Sequence, residues 1–289
     1  MNKIDELAKK HLGQNTNYDK EYNPSLLVKI PRIYNRELLG IDNNYSFYGS
    51  DVWNAYEVSF LTTTGLPING IVKLIIASDS LYHIESKSLK LYLNSFNMTK
   101  LKYSISDSIN AFIETIKSDI ELLLENKISV FFSEECNYKP SPVFLEYENI
   151  MDLIKYEELD FNKKKLTVND ILDEFENCIY TNLLRSNCRV TNQPDWGNVY
   201  ISYKANKSLN LKSFIQYIVA MREMNHFHEE ICEDIYINLF DLLNPSELMV
   251  SCLYTRRGGI DINPIRASDK NLVPNIFNNE IFISKTSRQ

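Results

Sequence analysis

The sequence is poor in glycine, and it carries no glycine-rich motif for binding a dinucleotide. Only eight of its 289 residues are glycine, and none of them forms a G-x-G-x-x-G pattern. That pattern allows the backbone to approach a pyrophosphate closely at the start of a helix. We therefore do not expect a Rossmann domain.

Cysteine is also scarce, and the spacing contains no C-x-x-C pair. The five cysteines are residues 136, 178, 188, 232 and 252. Their odd number, together with an N-terminal stretch that has no apolar secretory core, predicts reduced thiols and a cytoplasmic protein. The nearest group of metal-ligating residue types is His226, His228 and Cys232 in NHFHEEIC. Because HEEIC departs from the H-E-x-x-H zinc pattern, we expect no metal site.

Two further absences narrow the class of partner. No apolar run approaches the length of about 18 residues that a membrane-spanning helix needs, so no membrane partner is expected. The chain has no excess of basic residues, and its formal net charge is −7. Nucleic-acid affinity comes largely from lysine and arginine, which neutralise phosphates. We therefore expect a small-molecule partner rather than a nucleic acid.

The sequence divides into two halves, and the predicted strands and helices follow one another in the same order in each half. Aromatic and β-branched runs predict strands, and apolar residues at helical spacing predict helices. In the first half the predicted elements are strands 52–63 and 71–78, helices 85–96 and 105–125, and strand 128–133. In the second half they are strands 178–190 and 198–204, helices 209–225 and 227–243, and strand 247–255. The pattern predicts an α+β fold of mainly antiparallel sheets with helices on one face, and residues 134–176 as a connection.

The first candidate for chemistry is Cys188 in SNCRVTNQPDWG, residues 186–197. Pro194 and Gly197 can turn the chain so that Asp195 comes near the sulfur. A carboxylate could take the proton of the thiol and later return it to whatever the sulfur attacks. The competing interpretation is a structural cysteine followed by an aspartate that caps a turn.

Three other segments have both a functional and a structural interpretation. FHEE, residues 227–230, offers acceptors for a purine-like N–H edge, or simply caps a helix. HIESKSLKLY, residues 83–92, places the acid Glu85 near Lys87 and Lys90. The structural interpretation of this segment is the solvated start of an amphipathic helix. YTRRGGIDINP, residues 254–264, is suited to an anion, or is a tight turn with exposed arginines.

Taken together, these segments resemble one family. IESKSLKLYLNSFN, LLRSNCRVTNQPDWG, the FHE of NHFHEE and YTRRGGIDINP are similar to signature segments of the NADPH-dependent nitrile reductases of the queuosine pathway. These enzymes convert 7-cyano-7-deazaguanine to 7-aminomethyl-7-deazaguanine. The resemblance covers roughly residues 15–133 and 178–275. It implies tandem tunnelling-fold (T-fold) modules, residues 1–135 and 136–289, with the site between them, and a homodimer.

The resemblance also implies roles for individual residues. Cys188 matches the nucleophile that forms a covalent thioimide, and Asp195 matches the acid that protonates the nitrile nitrogen. Two NADPH would be used for each nitrile. The positions that match substrate contacts are Ile84, Glu85, Ser86, His228 and Glu229. The positions that match cofactor contacts are Ser86, Lys87, Arg257 and Gly258.

Two other functional classes stay open at this point. The T-fold also hosts zinc-dependent pterin and purine enzymes, although the weak Cys/His cluster argues against a metal. A non-catalytic purine-binding or assembly module could keep the same fold. The sequence does not assign a role to His226, which lies next to the matched pair.

Overall fold

The computed structural model describes residues 21–41, 47–154, 158–160, 165–189, 191–287 and 289. Its helices are α1 Ile33–Leu38, α2 Ser86–Ser95, α3 Ile105–Leu124, α4 Ile150–Ile154, α5 Leu211–Ala220 and α6 His228–Leu243. Its strands are β1 Lys29–Pro31, β2 Tyr48–Leu61, β3 Pro67–Ala77, β4 Tyr82–Ile84, β5 Ile128–Glu134, β6 Glu148–Asn149, β7 Val168–Asn187, β8 Pro194–Leu209, β9 Glu247–Tyr254 and β10 Ile260–Ala267. Among these helices, none is long and apolar enough to cross a membrane.

One sheet runs through both halves of the chain. Its strand order is β5-β3-β2-β10-β9-β8-β7-β6, and neighbouring strands are antiparallel except for the short β6–β7 pair. A second, two-stranded sheet pairs β1 with β4. The halves meet where β10 pairs with β2, from Ile260 opposite Ala55 to Ala267 opposite Tyr48. The mainly antiparallel α+β prediction is confirmed, with the strands of the two halves joined in one sheet.

The long helices pack on one face of this sheet. Helix α3 buries Phe112, Ile116, Ile120 and Leu124, which recur every four residues and so form one stripe. Helix α6 buries a similar stripe of Ile231, Ile235, Leu239 and Leu243. Each such side chain contributes about 1.5–3 kcal/mol when it leaves water.

The opposite face of the sheet is covered by irregular segments. Side chains alternate between faces along a strand, so Trp53 packs with the helices while Val52 packs on the other side. There it meets Phe277 and Ile283 of the C-terminal segment and Phe144 of the connection. Both faces of the central strands are therefore covered, which explains why nearly all residues of these strands are buried.

Several predicted boundaries are confirmed, and others are wrong. The helices predicted at 85–96, 105–125 and 227–243 match α2, α3 and α6 within two residues. The helix predicted at 209–225 ends at Ala220, and a 3-10 turn, Met221–Glu223, follows it. The turn prediction for 254–264 missed β10, which begins directly after the two glycines.

The strands flanking Cys188 are longer than predicted. Strand β7 begins at Val168, so the last part of the predicted connection 134–176 belongs to the sheet, and β8 covers 194–209 rather than 198–204. Strand β7 ends at Asn187, which leaves Cys188 in the loop. The predicted strand end, Val190, and the N-terminal stretch 1–20 lie outside the described residues.

A network of buried ions connects the elements around the junction of the halves. Arg266 on β10 contacts Asp51 on β2 and Glu233 on α6, each at 2.8 Å. Arg32, just before α1, contacts Asp51 at 2.5 Å, and Arg36 on α1 contacts Glu233 at 2.8 Å. Burial alone would raise the pKa of Asp51, but the charges of Arg266 and Arg32 lower that pKa to about 2. The network therefore fixes α1, β2, β10 and α6 relative to one another.

Candidate active site

A cavity of about 390 Å³ lies between the starts of α2 and α6, the β7–β8 loop and the β9–β10 turn. Every residue that the sequence analysis named as a catalytic, substrate or cofactor position lines it. These residues are Ile84, Glu85, Ser86, Lys87, Cys188, Asp195, His228, Glu229, Arg257 and Gly258. They come from four separate segments of the chain, and the fold brings all of them to one place.

Cys188 is the first residue after β7, and its loop is held by the backbone. Its N–H donates to the carbonyl of Gln193 at 2.8 Å, and its carbonyl accepts from the N–H of Asn192 at 3.0 Å. Asn192 takes the left-handed conformation, with φ of 54°, which asparagine tolerates better than most residues. The cysteine is half-buried, so its thiol has access to the cavity without lying in the core.

Asp195 is a buried carboxylate with two basic partners. It is 6% exposed, Arg257 Nη1 lies 2.5 Å from its Oδ1, and His228 Nε2 lies 3.5 Å from its Oδ2. Burial raises its pKa, but the contacts with His228 and Arg257 outweigh burial, so the pKa is lower than usual. Asp195 is therefore held as a carboxylate, the form that can accept a proton.

Arg257 is fixed in the cavity wall by the loop that carries Cys188. Its Nη2 donates to Thr191 Oγ1 at 2.9 Å and to Gln193 Oε1 at 2.5 Å. Burial alone would lower the pKa of Arg257, but the contacts with Asp195 and the Cys188 sulfur outweigh burial. The pKa is therefore higher than usual, and the guanidinium stays charged. The sequence indicated Arg257 only as a cofactor position and gave no sign of its ion pair with Asp195.

The two acids of FHEE, at the start of α6, have different surroundings. Glu230 serves the helix and the loop, since it accepts from the N–H of Phe227 at 3.0 Å and binds Arg189 at 2.8 Å. His226 Nδ1 lies 3.1 Å from the same carboxylate. Glu229 instead faces the cavity and is 2% exposed, and its Oε1 has no hydrogen-bond partner among the described residues. One acid therefore caps the helix while its neighbour is available to a ligand.

His228 is oriented by stacking. Its ring lies parallel to that of Tyr254, with centroids 3.8 Å apart and an interplanar angle of 8°. This contact points the imidazole edge at Asp195. Tyr254 is the last residue of β9 and is fully buried, so it provides a rigid support.

Glu85 is the N-cap residue of α2 and lies in the cavity wall. Its side chain accepts from the backbone N–H groups of Lys87 at 3.0 Å and Ser88 at 2.6 Å. Because Glu85 is 3% exposed, the interpretation of HIESKSLKLY as a solvated helix start is wrong at this residue. Its carboxylate caps the helix and lines the cavity at once.

The mouth of the cavity carries basic side chains and glycine backbone. Lys87, Lys90, Arg257 and Gly258 line the cavity and are at least partly exposed, and Nζ of Lys90 lies 3.0 Å from Oε2 of Glu57. Gly258 has φ of 60°, and only the Lys90 side chain approaches the position of a would-be Cβ. In an acidic chain, this concentration of positive charge beside open backbone is suited to a phosphate-bearing ligand.

Two polar side chains, Trp53 and His83, are among the cavity residues that were not singled out from the sequence. Trp53 of β2 lines the cavity, and its buried Nε1 has no hydrogen-bond partner among the described residues. His83 of β4 lines it from beside Ile84. The position of His83 directly before IESK was the available signal, whereas Trp53 looked like any core residue of a strand.

Within the described parts of the chain, no group of three or more His, Cys, Asp or Glu side chains is arranged to hold a metal ion. His228 turns toward Asp195, and Cys232 points into the core, where it approaches the carbonyls of Val250 and Pro264. The three residues of the NHFHEEIC segment thus face different surroundings.

Comparison with known proteins identifies the family. Residues 18–132 match the family described as "Nitrile reductase, 7-cyano-7-deazaguanine-reductase N-term", and residues 194–272 match "QueF-like protein". A solved structure of the archaeosine synthase QueF-Like, in the apo form, is 17% identical and covers 34% of this chain and 94% of its own, with a TM-score of 0.29.

Three curated relatives match over nearly the full length. Each is named NADPH-dependent 7-cyano-7-deazaguanine reductase. The protein of Rickettsia typhi is 39% identical over 267 residues, covering 90% of this chain and 93% of its own. That of Rickettsia prowazekii is 40% identical over 268 residues, with coverage of 90% and 93%. That of Hahella chejuensis is 37% identical over 260 residues, with coverage of 89% and 93%. The chain belongs to the family of NADPH-dependent 7-cyano-7-deazaguanine reductases.

Proposed function

We propose that this protein reduces the nitrile of 7-cyano-7-deazaguanine to the aminomethyl group of 7-aminomethyl-7-deazaguanine with NADPH, as a step of queuosine biosynthesis. The observation that carries the proposal is the cavity in which Cys188 and the ionised Asp195 lie together with Glu229, whose Oε1 accepts no hydrogen bond among the described residues. The names of the relatives supply the substrate and the cofactor.

The nucleobase is held by the buried acids. A guanine-like edge presents an N–H and an NH₂ side by side, and a carboxylate accepts both at once. Glu229 has a free acceptor in the cavity and is the best placed group for this role. His228, Glu85, Ser86 and Ile84 form the surrounding wall, so the apolar ring and its polar edge both find matching surfaces.

Covalent addition begins with a proton transfer. Asp195 takes the proton of the Cys188 thiol, and the sulfur forms a bond with the nitrile carbon. Asp195 then gives that proton to the nitrile nitrogen, so the product of addition is a thioimide and every atom is retained. Because His228 and Arg257 lower the pKa of Asp195, its protonated form is a strong donor to the nitrogen.

The basic mouth of the cavity fits NADPH. Lys87, Lys90, Arg257 and the open backbone at Gly258 would bind its phosphates, and Ser86 would add a hydroxyl. When bound, NADPH supplies hydride to the carbon that Cys188 holds. Reduction of a nitrile to an amine takes two hydrides and two protons, so we propose two NADPH per product. The buried walls would retain the imine between the two reductions.

The domain organisation belongs to the same proposal. The main elements of each half follow the order strand, strand, helix, helix, strand: β2, β3, α2, α3 and β5 in the first, and β7, β8, α5, α6 and β9 in the second. With β4 inserted in the first half and β10 added to the second, this order supports tandem T-fold modules at residues 1–135 and 136–289. The cavity takes Glu85 from the first half and Cys188 from the second, so neither half would suffice alone. A homodimer in the cytoplasm, with no direct contact to nucleic acid, completes the proposal.

The test is NADPH oxidation by the purified protein with 7-cyano-7-deazaguanine, with product measured in the same samples. We expect two NADPH consumed per amine formed and no measurable turnover by Cys188→Ala. Cys136→Ala, which changes an exposed cysteine outside the cavity, is the matched control and should keep full activity. Full turnover by Cys188→Ala would overturn the proposal, as would activity that requires stoichiometric zinc.

A further inference from the structure

His83 is a buried histidine at the cavity that none of the assigned roles uses. It lies in β4, opposite Ile30 of β1, and is 3% exposed. Its Nδ1 is 3.5 Å from Oε1 of Glu229, and the ring of Phe227 packs edge-on against it with centroids 4.9 Å apart. Histidine is polar, so a position this enclosed calls for a polar partner.

The other buried acids in the cavity wall and beside it have strong partners of their own. Asp195 is paired with Arg257, Glu230 with Arg189, and Glu85 accepts two backbone N–H groups. Glu229 is as buried as these, yet its Oε1 accepts no hydrogen bond among the described residues. The contact that the structure gives this oxygen is the one with His83.

The contact also joins the two segments that would hold the substrate. His83 directly precedes Ile84, Glu85 and Ser86 in the first half of the chain, and Glu229 lies in the first turn of α6 in the second half. At 3.5 Å the pair is longer than a normal hydrogen bond, and a small rotation of either side chain would close it. Phe227 packs against the ring and limits how far His83 can turn away.

We propose that His83 is a positioning residue, which acts through Nδ1 to orient the Glu229 carboxylate toward the N–H edge of the nucleobase. This inference rests on the proposed function. It assigns no proton transfer to His83, because Cys188 and Asp195 carry the addition. Its consequence is that loss of the imidazole weakens substrate binding and spares the chemical step.

Three substitutions separate this role from simple packing. Asparagine places its amide nitrogen close to the position of Nδ1, glutamine places it near Nε2, and leucine fills the space without a donor. We expect His83→Leu and His83→Gln to raise the KM for the nitrile about ten-fold or more, the loss expected for a hydrogen bond to a charged group. His83→Asn should restore KM to within about three-fold, and kcat should change little in all three variants.

The measurement is steady-state turnover over a range of nitrile concentrations at saturating NADPH, with thermal unfolding of each variant as a control for folding. A second arm repeats His83→Leu in a Glu229→Gln background. If His83 acts through Glu229, the second substitution adds little to the KM of the first.

The outcomes are distinct from failure of the proposed function. If the wild type has no nitrile reductase activity, the proposed function fails first. If the wild type is active, an unchanged KM in His83→Leu overturns the positioning role. Equal KM values for the asparagine and glutamine variants overturn it too, and this comparison holds even if the leucine variant does not fold.

Discussion

The last helix of each half begins in a different way, although both occupy the same place in the order of elements. At the start of α3, Ser104 Oγ accepts from the N–H of Asp107 at 3.0 Å and donates to its carboxylate at 2.7 Å, and both residues are exposed. At the start of α6, Glu230 does the capping while His228 and Glu229 are largely removed from solvent beside the cavity. Helix capping needs one such acceptor, so the additional buried polar groups of α6 have another cause.

The hairpin turns of the two halves differ in the same sense. The turn from Thr62 to Leu66 is closed by backbone hydrogen bonds and a contact between the hydroxyls of Thr62 and Thr64 at 2.8 Å. The turn that begins at Cys188 is crossed by Arg257 from another loop. The first hairpin thus shows the contacts that such a turn itself needs, and the second carries additional contacts beside the cavity.

The largest expected effect is at Asp195, which has no counterpart in the first hairpin. Asp195→Asn removes the group that would take and return the proton, so kcat should fall about 10²–10⁴-fold while nitrile binding persists. Asp107→Asn, at the start of α3, is the matched control and should leave kcat unchanged. Turnover of Asp195→Asn within about three-fold of the wild type would remove Asp195 from the chemistry.

The second largest expected effect is on the free energy of unfolding and concerns the ion pairs that connect α6 with β2 and β10. Arg266→Met leaves Asp51 and Glu233 buried without their main partner, so unfolding in urea should show a loss of about 3–5 kcal/mol. The control is Lys127→Met, because Lys127 pairs with Glu121 at the surface and such pairs contribute about 1 kcal/mol or less. Similar losses for the two variants would mean that the buried network does not secure the junction.

The smallest effect is at the ordinary helix start. Ser104→Ala removes the cap of α3 and should lower the free energy of unfolding by about 1 kcal/mol. The KM values for nitrile and NADPH should not change, since Ser104 lies outside the cavity lining. A clear change in either KM would show that the first half contributes to the site through α3 as well.

Local patterns predicted the two longest helices well, missed the short helices α1 and α4, and predicted the long-range contacts poorly. Apolar residues at helical spacing located α3 and α6 closely, because burial of one stripe is a property of the segment itself. Strand β10 was missed because its partner β2 lies about 200 residues earlier, and two glycines after two arginines favoured a turn. Only the folded chain shows that the turn is real and that a strand follows it.

The candidate site shows the same difference between what local patterns reveal and what only the folded chain shows. The resemblance named ten residues that line one cavity, but motifs do not reveal which side chains touch. The pairing of Asp195 with Arg257 joins residues 62 positions apart, and the contact of His83 with Glu229 joins the two halves. Glu229 and Glu230 are adjacent and chemically alike, so only the rotation of α6 about its axis separates the ligand-facing acid from the capping acid.

The most direct test of the central claim is the intact mass of the protein after mixing with 7-cyano-7-deazaguanine in the absence of NADPH, with Cys188→Ala measured beside it. Addition of the thiol to the nitrile loses no atoms, so the wild type should gain the mass of one substrate per chain and the variant should gain nothing. No gain in the wild type while the nitrile demonstrably binds, or an equal gain in Cys188→Ala, would contradict covalent catalysis at Cys188.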